Sequence, residues 1–185
     1  GNRRDFLLDG TWDFFDSTGV KLRSVEYAAD LKSGWERSYF PSGRVKIEQH
    51  YEANQRSGWT YEYDQEGQRR KAIPYRSNLE DGKGREYAAD GRTIALLEYD
   101  KGYLRTIEKV NRYDSFGQKT GVWIEWTGNG ILQEQGPWES GKRNGLFRFY
   151  DKWGQLADVV KYVEGEVVSD AVETQEIDIR TTTHT

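Results

Sequence analysis

Residues 58–67 have the sequence GWTYEYDQEG, which places two glycines nine positions apart, and this frame recurs along the chain. The glycine pairs are Gly10/Gly19, Gly34/Gly43, Gly58/Gly67, Gly82/Gly91, Gly121/Gly130 and Gly145/Gly154. Successive pairs begin 24 residues apart, with one slip of 15 extra residues before Gly121. Repeats of this length are typical of arrays in which each unit completes the core of its neighbour.

Aromatic residues occupy fixed places in this frame. Every unit has one five residues after the opening glycine, namely Phe15, Tyr39, Tyr63, Tyr87, Trp126 and Tyr150. Every unit has another 17 residues after it, namely Tyr27, Tyr51, Tyr75, Tyr99, Trp138 and Tyr162. Five units carry a third, one or two places after the glycine: Trp12, Trp35, Trp59, Trp123 and Phe147. At an aromatic content of 14%, chance does not produce such columns.

Each unit is predicted to be a β-hairpin. Aromatic and β-branched residues follow the opening glycine without a helical period. Asp64 and Gly67 mark a tight turn, because aspartate bonds the amides ahead of it and glycine accepts a positive φ. Three places after the second aromatic column, each unit has a residue that tolerates a left-handed backbone: Asp30, Asn54, Asn78, Gly102, Gly141 and Gly165. The predicted fold is all-β, an elongated antiparallel β-meander of six roughly 24-residue hairpin repeats in a single-layer twisted sheet.

One feature of the first strands breaks the regularity. Trp35 and Trp59 stand four places before the next aromatic column, whereas Trp123 and Phe147 stand three places before it. Strict alternation cannot put both sets on one face. The offset therefore predicts either a β-bulge or a difference in register.

The repeat frame also divides the chain. Residues 1–9 are a lead-in, and residues 10–168 form the array, with units beginning at positions 10, 34, 58, 82, 121 and 145. Residues 103–120 break the frame and are predicted to be an irregular insertion. Residues 169–185 are predicted to form a closing strand and a loose tail, since Ile177 and Ile179 alternate there.

Composition narrows the classes of function. The net charge of −4 and the pI near 5.4 give no basic footprint for nucleic acid or an anionic membrane. The absence of cysteine excludes disulfides, zinc–thiolate sites and thiol catalysis. No apolar run approaches the about 18 residues that suggest a membrane-spanning helix.

The aligned units resemble the MORN-repeat variant. The resemblance rests on the pattern Gly-x-Trp-x-x-Tyr-Asp-x-x-Gly, a strand ending in Tyr, and then Gly-Lys-x-Asn-Gly, and residues 141–150, GKRNGLFRFY, match it best. It covers roughly residues 10–168, although Gly84 stands where a tryptophan is usual. The resemblance implies an elongated twisted sheet used for protein contacts, sometimes for lipid headgroups. Bacterial proteins of this type are often catalogued as antitoxin components of toxin–antitoxin modules, and many carry export signals.

The chain contains no methionine, not even an initiator, which is typical of a processed chain or an expressed fragment. Gly1 fits a tag remnant. Together with the resemblance, this favours an exported protein of the periplasm or cell envelope over a cytoplasmic one.

An enzyme is not expected. His50 and His184 are the only histidines, His50 stands in a column predicted to face solvent, and no cysteine is present. The acidic residues are scattered along the repeats rather than paired in a cleft, and the glycines fit no phosphate-binding motif. No cofactor and no metal site is predicted.

The aromatic columns have two interpretations, as the core between hairpins or as a binding row on an open sheet. We therefore predict a non-catalytic binding module for a protein partner, with a toxin as one candidate class. The alternative is carbohydrate or cell-envelope binding, because aromatic-rich repeats can stack on ligands; lipid headgroups are disfavoured by the acidic charge. The predicted binding residues are Trp35, Tyr39, Trp59, Tyr63, Trp123 and Trp126.

Overall fold

The structure, a computed structural model, describes residues 1–168. Within that range it consists of antiparallel strands and turns without any helix, which confirms the predicted all-β class. The first 11 strands are β1 (Asn2–Arg4), β2 (Leu7–Phe15), β3 (Lys21–Ala28), β4 (Leu31–Tyr39), β5 (Val45–Glu52), β6 (Gln55–Tyr63), β7 (Arg69–Arg76), β8 (Leu79–Glu80), β9 (Gly82–Tyr87), β10 (Thr93–Asp100) and β11 (Tyr103–Lys109). The others are β12 (Arg112–Tyr113), β13 (Lys119–Trp126), β14 (Leu132–Glu139), β15 (Lys142–Arg143), β16 (Gly145–Tyr150), β17 (Leu156–Val163) and β18 (Glu166–Val167).

The chain divides into two compact units, and each has its own sheet. The first unit ends at Asn111 and the second begins at Arg112, inside the predicted insertion at 103–120. In each unit, the main strands follow one another in the sheet in chain order, which is the meander that short connections impose, and the two-residue strands β8 and β15 pair only with β7 and β14. The predicted lead-in contributes β1 and the start of β2. The predicted closing strand and tail at 169–185 lie outside the described residues.

The first kind of turn connects the two strands within a hairpin. In the turn at 64–68, the Asp64 carbonyl accepts the Gly67 N–H at 3.0 Å, and the Asp64 carboxylate accepts the Gln68 N–H at 2.8 Å. Gly67 has a φ of +86°, and the corresponding Gly43, Gly91 and Gly154 have +83°, +82° and +81°. The predicted positive φ at these glycines is therefore confirmed.

The second kind of turn links one repeat to the next. Ala53 and Asn54 have φ values of +46° and +67°, as a two-residue hairpin turn requires. The Asn54 side chain accepts the backbone N–H of Lys32 at 2.8 Å, and the Asn54 N–H donates to the Lys32 carbonyl at 2.9 Å. Asp30 and Asn78 make the same two bonds to residues 22 positions earlier. Hydrogen bonds therefore connect each of these turns to the start of the strand that follows the preceding turn, along one edge of the array.

The contribution of these hydrogen bonds to stability can be measured at Asn54. We expect Asn54→Gly to lower the free energy of unfolding by about 1 kcal/mol, because it removes one hydrogen bond and keeps the backbone freedom. Asn54→Ala should cost more, since alanine adds the penalty of a left-handed backbone, about 1–2 kcal/mol. Urea denaturation of both variants checks the order. Equal losses would mean that the side-chain bond, not the backbone, sets the cost.

Strand register defines two faces of the first sheet. Residues paired on neighbouring strands share a face, and the row Val25–Glu36–Gln49–Thr60–Ile73 marks one of them, called face A. Trp35 and Trp59 immediately precede Glu36 and Thr60, so they lie on the opposite face, called face B.

The tryptophan offset is a change of face. Trp123 and Phe147 stand two places after their opening glycine, where Glu36 and Thr60 stand, so they occupy the counterpart of face A in the second unit. The register itself does not change: the opening glycine pairs with the second aromatic column in Gly34↔Tyr51, Gly58↔Tyr75, Gly121↔Trp138 and Gly145↔Tyr162. Of the two predicted explanations, a difference in register is therefore wrong. A β-bulge does lie before the next aromatic residue, but it occurs in both sets of hairpins, at Ser38/Tyr39 and Glu62/Tyr63 as at Glu125/Trp126 and Phe149/Tyr150, so it does not account for the offset.

Much of the packing lies on face A. In the first unit, Val25, Ile73 and Leu97 are buried there; in the second unit, Phe147 is fully buried. The second-column residues Tyr51, Tyr75, Tyr99 and Tyr162 are half-buried, less than a core interpretation predicts. Cations two places before the opening glycine cover several of these rings: Lys32 over Tyr51 at 4.8 Å, Arg56 over Tyr75 at 4.4 Å and Arg143 over Tyr162 at 5.1 Å.

Candidate functional site

Four of the six predicted binding residues share face B of the first unit. Trp35 and Tyr39 lie on β4, and Trp59 and Tyr63 lie on β6, two strands away. Alternation along each strand puts all four on the same side of the sheet. Trp59 is 41% exposed, and the other three are half-buried. The first-strand aromatics of units two and three therefore form a shared surface.

The centre of this surface is a cluster of four rings, Trp35, His50, Trp59 and Tyr61, which we call the aromatic strip. The Tyr61 ring is nearly parallel to that of Trp59, with 6.2 Å between centroids and 10° between planes. It lies 6.4 Å from the Trp35 ring, at 29°. His50, paired with Trp35 across β4 and β5, meets the indole edge-on at 5.2 Å. Of the four rings, that of Trp59 is exposed and the other three are half-buried.

A polar network borders the aromatic strip and is internally paired. Arg37 donates to Glu48 at 2.7 Å and lies 3.7 Å from Glu26. The Tyr63 hydroxyl donates to the other Glu48 oxygen at 3.2 Å. Burial, together with the charge of Glu48, raises the pKa of Tyr63, which favours the protonated hydroxyl that donates to Glu48. Glu48 is thereby held by two partners and has little capacity for a ligand.

The second oxygen of Glu26 is also occupied, since it accepts the backbone N–H of Trp35 at 2.9 Å. That contact leaves no room for a β-carbon at Gly34, the opening glycine, whose φ is +107°. The carboxylate therefore helps to fix the strand that carries Trp35. Its role here is structural.

The groups over the strip that keep hydrogen-bonding capacity are mainly donors. The indole N–H groups of Trp35 and Trp59 donate to no residue in the described part of the chain, whereas Trp12 and Trp123 donate theirs to backbone carbonyls at 3.2 and 3.1 Å. Arg69 holds its guanidinium 4.4 Å from the Tyr61 centroid. Arg69 also hydrogen-bonds the Tyr63 hydroxyl, and within residues 1–168 no carboxylate lies within ion-pair distance of it.

Next to the strip is a surface recess of ≈ 550 Å³ between two hairpin turns. Glu48 and Tyr63 line it together with Arg44 and Glu66. Because Glu48 and Tyr63 also border the strip, the recess continues the same surface towards the turns.

The two remaining predicted residues lie in the second unit. Trp126 is half-buried on the face opposite Trp123. Trp123 is only 5% exposed, and its ring contacts Tyr113 at 5.2 Å and Trp138 at 6.4 Å. Trp123 is therefore a packing residue in this structure and not part of an accessible binding surface. The physical reason is its position two places after the glycine, which faces the core.

Sequence reasoning missed Tyr61 and assigned His50 to solvent. Tyr61 stands three places after Gly58, where the other units have Asp13, Arg37, Arg85, Ile124 and Arg148, so no column reveals it. His50 is half-buried, and its Nδ1 lies 3.2 Å from the Ser57 carbonyl. The signal that could have found both is departure from the repeat, since residues that build the hairpin recur and residues that bind a ligand need not.

Other kinds of site were sought in the same range. Residues 1–168 hold no group of three or more acidic or histidine side chains arranged to bind a metal ion. Nor does this part of the chain provide a helix with the length and apolarity needed to cross a membrane.

Comparison with protein-family models gives no match, and comparison with curated protein sequences gives none at a significant level. The resemblance to the MORN-repeat variant therefore rests on the motif alone.

Proposed function

We propose that this chain is a non-catalytic module that binds a protein partner through face B of its first unit. The observation that supports the proposal is the aromatic strip, which places Trp35, Trp59 and Tyr61 side by side on an open sheet face with Trp59 41% exposed. Trp and Tyr are enriched at protein interfaces because they offer large rigid contact areas. The paired charges of Arg37 and Glu48 supply a polar rim around the apolar centre.

The resemblance to the MORN-repeat variant suggests one class of partner, a toxin that the chain would neutralise. A toxin-neutralising module must bind tightly and needs no chemistry of its own, which fits a surface without a catalytic constellation. Co-expression of the chain with a candidate toxin tests this finer proposal, and restored growth of the host cells is the expected result.

The experiment for the broader proposal uses the full chain coupled to a resin. We expect a protein from an extract of the source organism to be retained by the wild type and by Trp153→Ala, and to be lost or strongly reduced with Trp59→Ala. Trp153 is a matched control because it is 71% exposed and belongs to the second unit, outside the strip. Equal retention by all three forms would rule out the strip as the binding surface.

Carbohydrate binding is the second candidate, because the nearly parallel Trp59 and Tyr61 rings could stack on sugar faces. A glycan array with the same three forms distinguishes the two. Glycan signals that disappear in Trp59→Ala would support sugar binding and count against a protein partner at this surface.

A further inference from the structure

We infer that the aromatic strip recognises a proline-rich segment of the partner in the polyproline II conformation, with an acidic residue next to the prolines. This inference rests on the proposed function and adds the chemistry of the partner. Three features of face B carry it: the adjacent aromatic rings, the excess of donors over acceptors, and the charge of Arg69.

The rings of the aromatic strip lie next to one another and offer a continuous aromatic surface. The Tyr61 centroid lies 6.2 Å from that of Trp59 and 6.4 Å from that of Trp35. Grooves lined by aromatic rings are the established surface for this conformation, because the ligand is already rigid and loses little entropy.

The hydrogen-bond donors of the strip complement a ligand whose backbone mainly accepts hydrogen bonds. Proline has no N–H, and a polyproline II backbone makes no internal hydrogen bonds, so its carbonyls need outside donors. The indole N–H groups of Trp35 and Trp59 have no acceptor among residues 1–168. The nearby acceptors, Glu26 and Glu48, are already engaged by Trp35, Arg37 and Tyr63. A sugar, whose hydroxyls both donate and accept, would leave donors without acceptors here.

Charge gives the ligand a further feature. Arg69 is exposed, lies 4.4 Å from the Tyr61 centroid and hydrogen-bonds the Tyr63 hydroxyl, and no carboxylate among the described residues pairs with it. A carboxylate on the ligand beside the prolines would supply that partner and would pair with a guanidinium already positioned on a ring.

The test is a titration of the full chain into fluorescein-labelled peptides, followed by fluorescence anisotropy. The probe is Asp-Asp followed by eight prolines. One control replaces the prolines by four Gly-Ser pairs, which keeps the charge and removes the conformation. A second control replaces Asp-Asp by Lys-Lys, which keeps the conformation and reverses the charge. We expect the probe to bind, the Gly-Ser peptide not to bind over the same concentration range, and the Lys-Lys peptide to bind more weakly.

Variants locate the binding. Trp59→Ala should weaken binding of the probe by about tenfold or more, as truncation of an interface tryptophan typically does, whereas Trp153→Ala should leave it unchanged. Arg69→Gln should reduce the difference between the Asp-Asp and Lys-Lys peptides. Binding of the Gly-Ser peptide as tight as that of the probe, or an equal loss in Trp153→Ala, would overturn the inference.

The outcomes separate this inference from the proposed function. If the resin captures a protein partner in a Trp59-dependent way but no proline peptide binds, the proposed function stands and the polyproline inference fails. If a glycan binds in a Trp59-dependent way and displaces the peptide, the strip is a sugar site and both fail.

Discussion

Replacing Phe147 by alanine should lower the free energy of unfolding by about 3–5 kcal/mol, the range for removing a large buried aromatic side chain. Phe147 is fully buried, and its ring meets Trp138 at 6.1 Å and Tyr162 at 5.2 Å, both edge-on. Arg143 lies 4.8 Å from the same ring and forms an ion pair with Glu134 at 2.7 Å. Removal of the ring would leave a cavity under both aromatic neighbours and under this cation.

Urea denaturation followed by tryptophan fluorescence measures the loss. The matched control is Phe116→Ala, since Phe116 is 84% exposed in the same unit and its removal should change stability by no more than about 0.5 kcal/mol. Similar losses in the two variants would show that Phe147 is not a core residue.

A second variant tests the same packing from the opposite strand. A β-carbon at Gly136 would lie 2.5 Å from the Phe147 ring, so Gly136→Ala should destabilise the wild type through overpacking, by about 1–3 kcal/mol. In the Phe147→Ala background, the new methyl group would enter the vacated space and cost less. A double-mutant cycle measures this coupling, and purely additive losses would contradict the predicted contact.

The glycine frame was sufficient to predict the hairpins because backbone conformation is a local property. A turn that requires a positive φ restricts the residue types allowed at that position, so Gly67 and Asn54 indicate the turns directly. The all-β class and the antiparallel meander follow from short connections between such turns. None of this needs information about which side of the sheet is covered.

The face of the sheet on which each tryptophan lies could not be predicted in the same way. Trp35 and Trp59 are displaced by one position from Trp123, and a shift of one residue moves a side chain to the other face. The equivalent core positions in units two and three hold Glu36 and Thr60 instead, and such polar side chains are seldom found in a core. Glu36 is tolerated there because Lys32, four places earlier on the same strand and therefore on the same face, binds its carboxylate at 2.5 Å. As a result, the sequence grouped Trp123 with residues that lie on a different face.

The second large effect is expected at an opening glycine, where Gly145→Ala should lower the free energy of unfolding by about 2–6 kcal/mol. Gly145 has a φ of +123°, beyond the left-handed region that other residues visit, and such strain costs about 1–3 kcal/mol. A β-carbon would also lie 2.5 Å from Cγ of Pro137, whose rigid ring cannot turn away, and overpacking adds about 1–3 kcal/mol.

Gly130 is the matched control, because it has a φ of +85° and a β-carbon added there would meet no atom within 4 Å. Gly130→Ala should therefore cost only the backbone penalty of about 1–2 kcal/mol. Asparagine, which tolerates the left-handed region, should recover part of the stability at position 130 but not at position 145. Pro137→Ala combined with Gly145→Ala should recover the overpacking share alone, because the strained φ remains. Thermal and urea unfolding of these variants give the comparison. Equal losses at positions 130 and 145 would mean that the opening glycine serves only as a flexible turn residue, and that its close approach to the preceding strand does not hold the repeats in register.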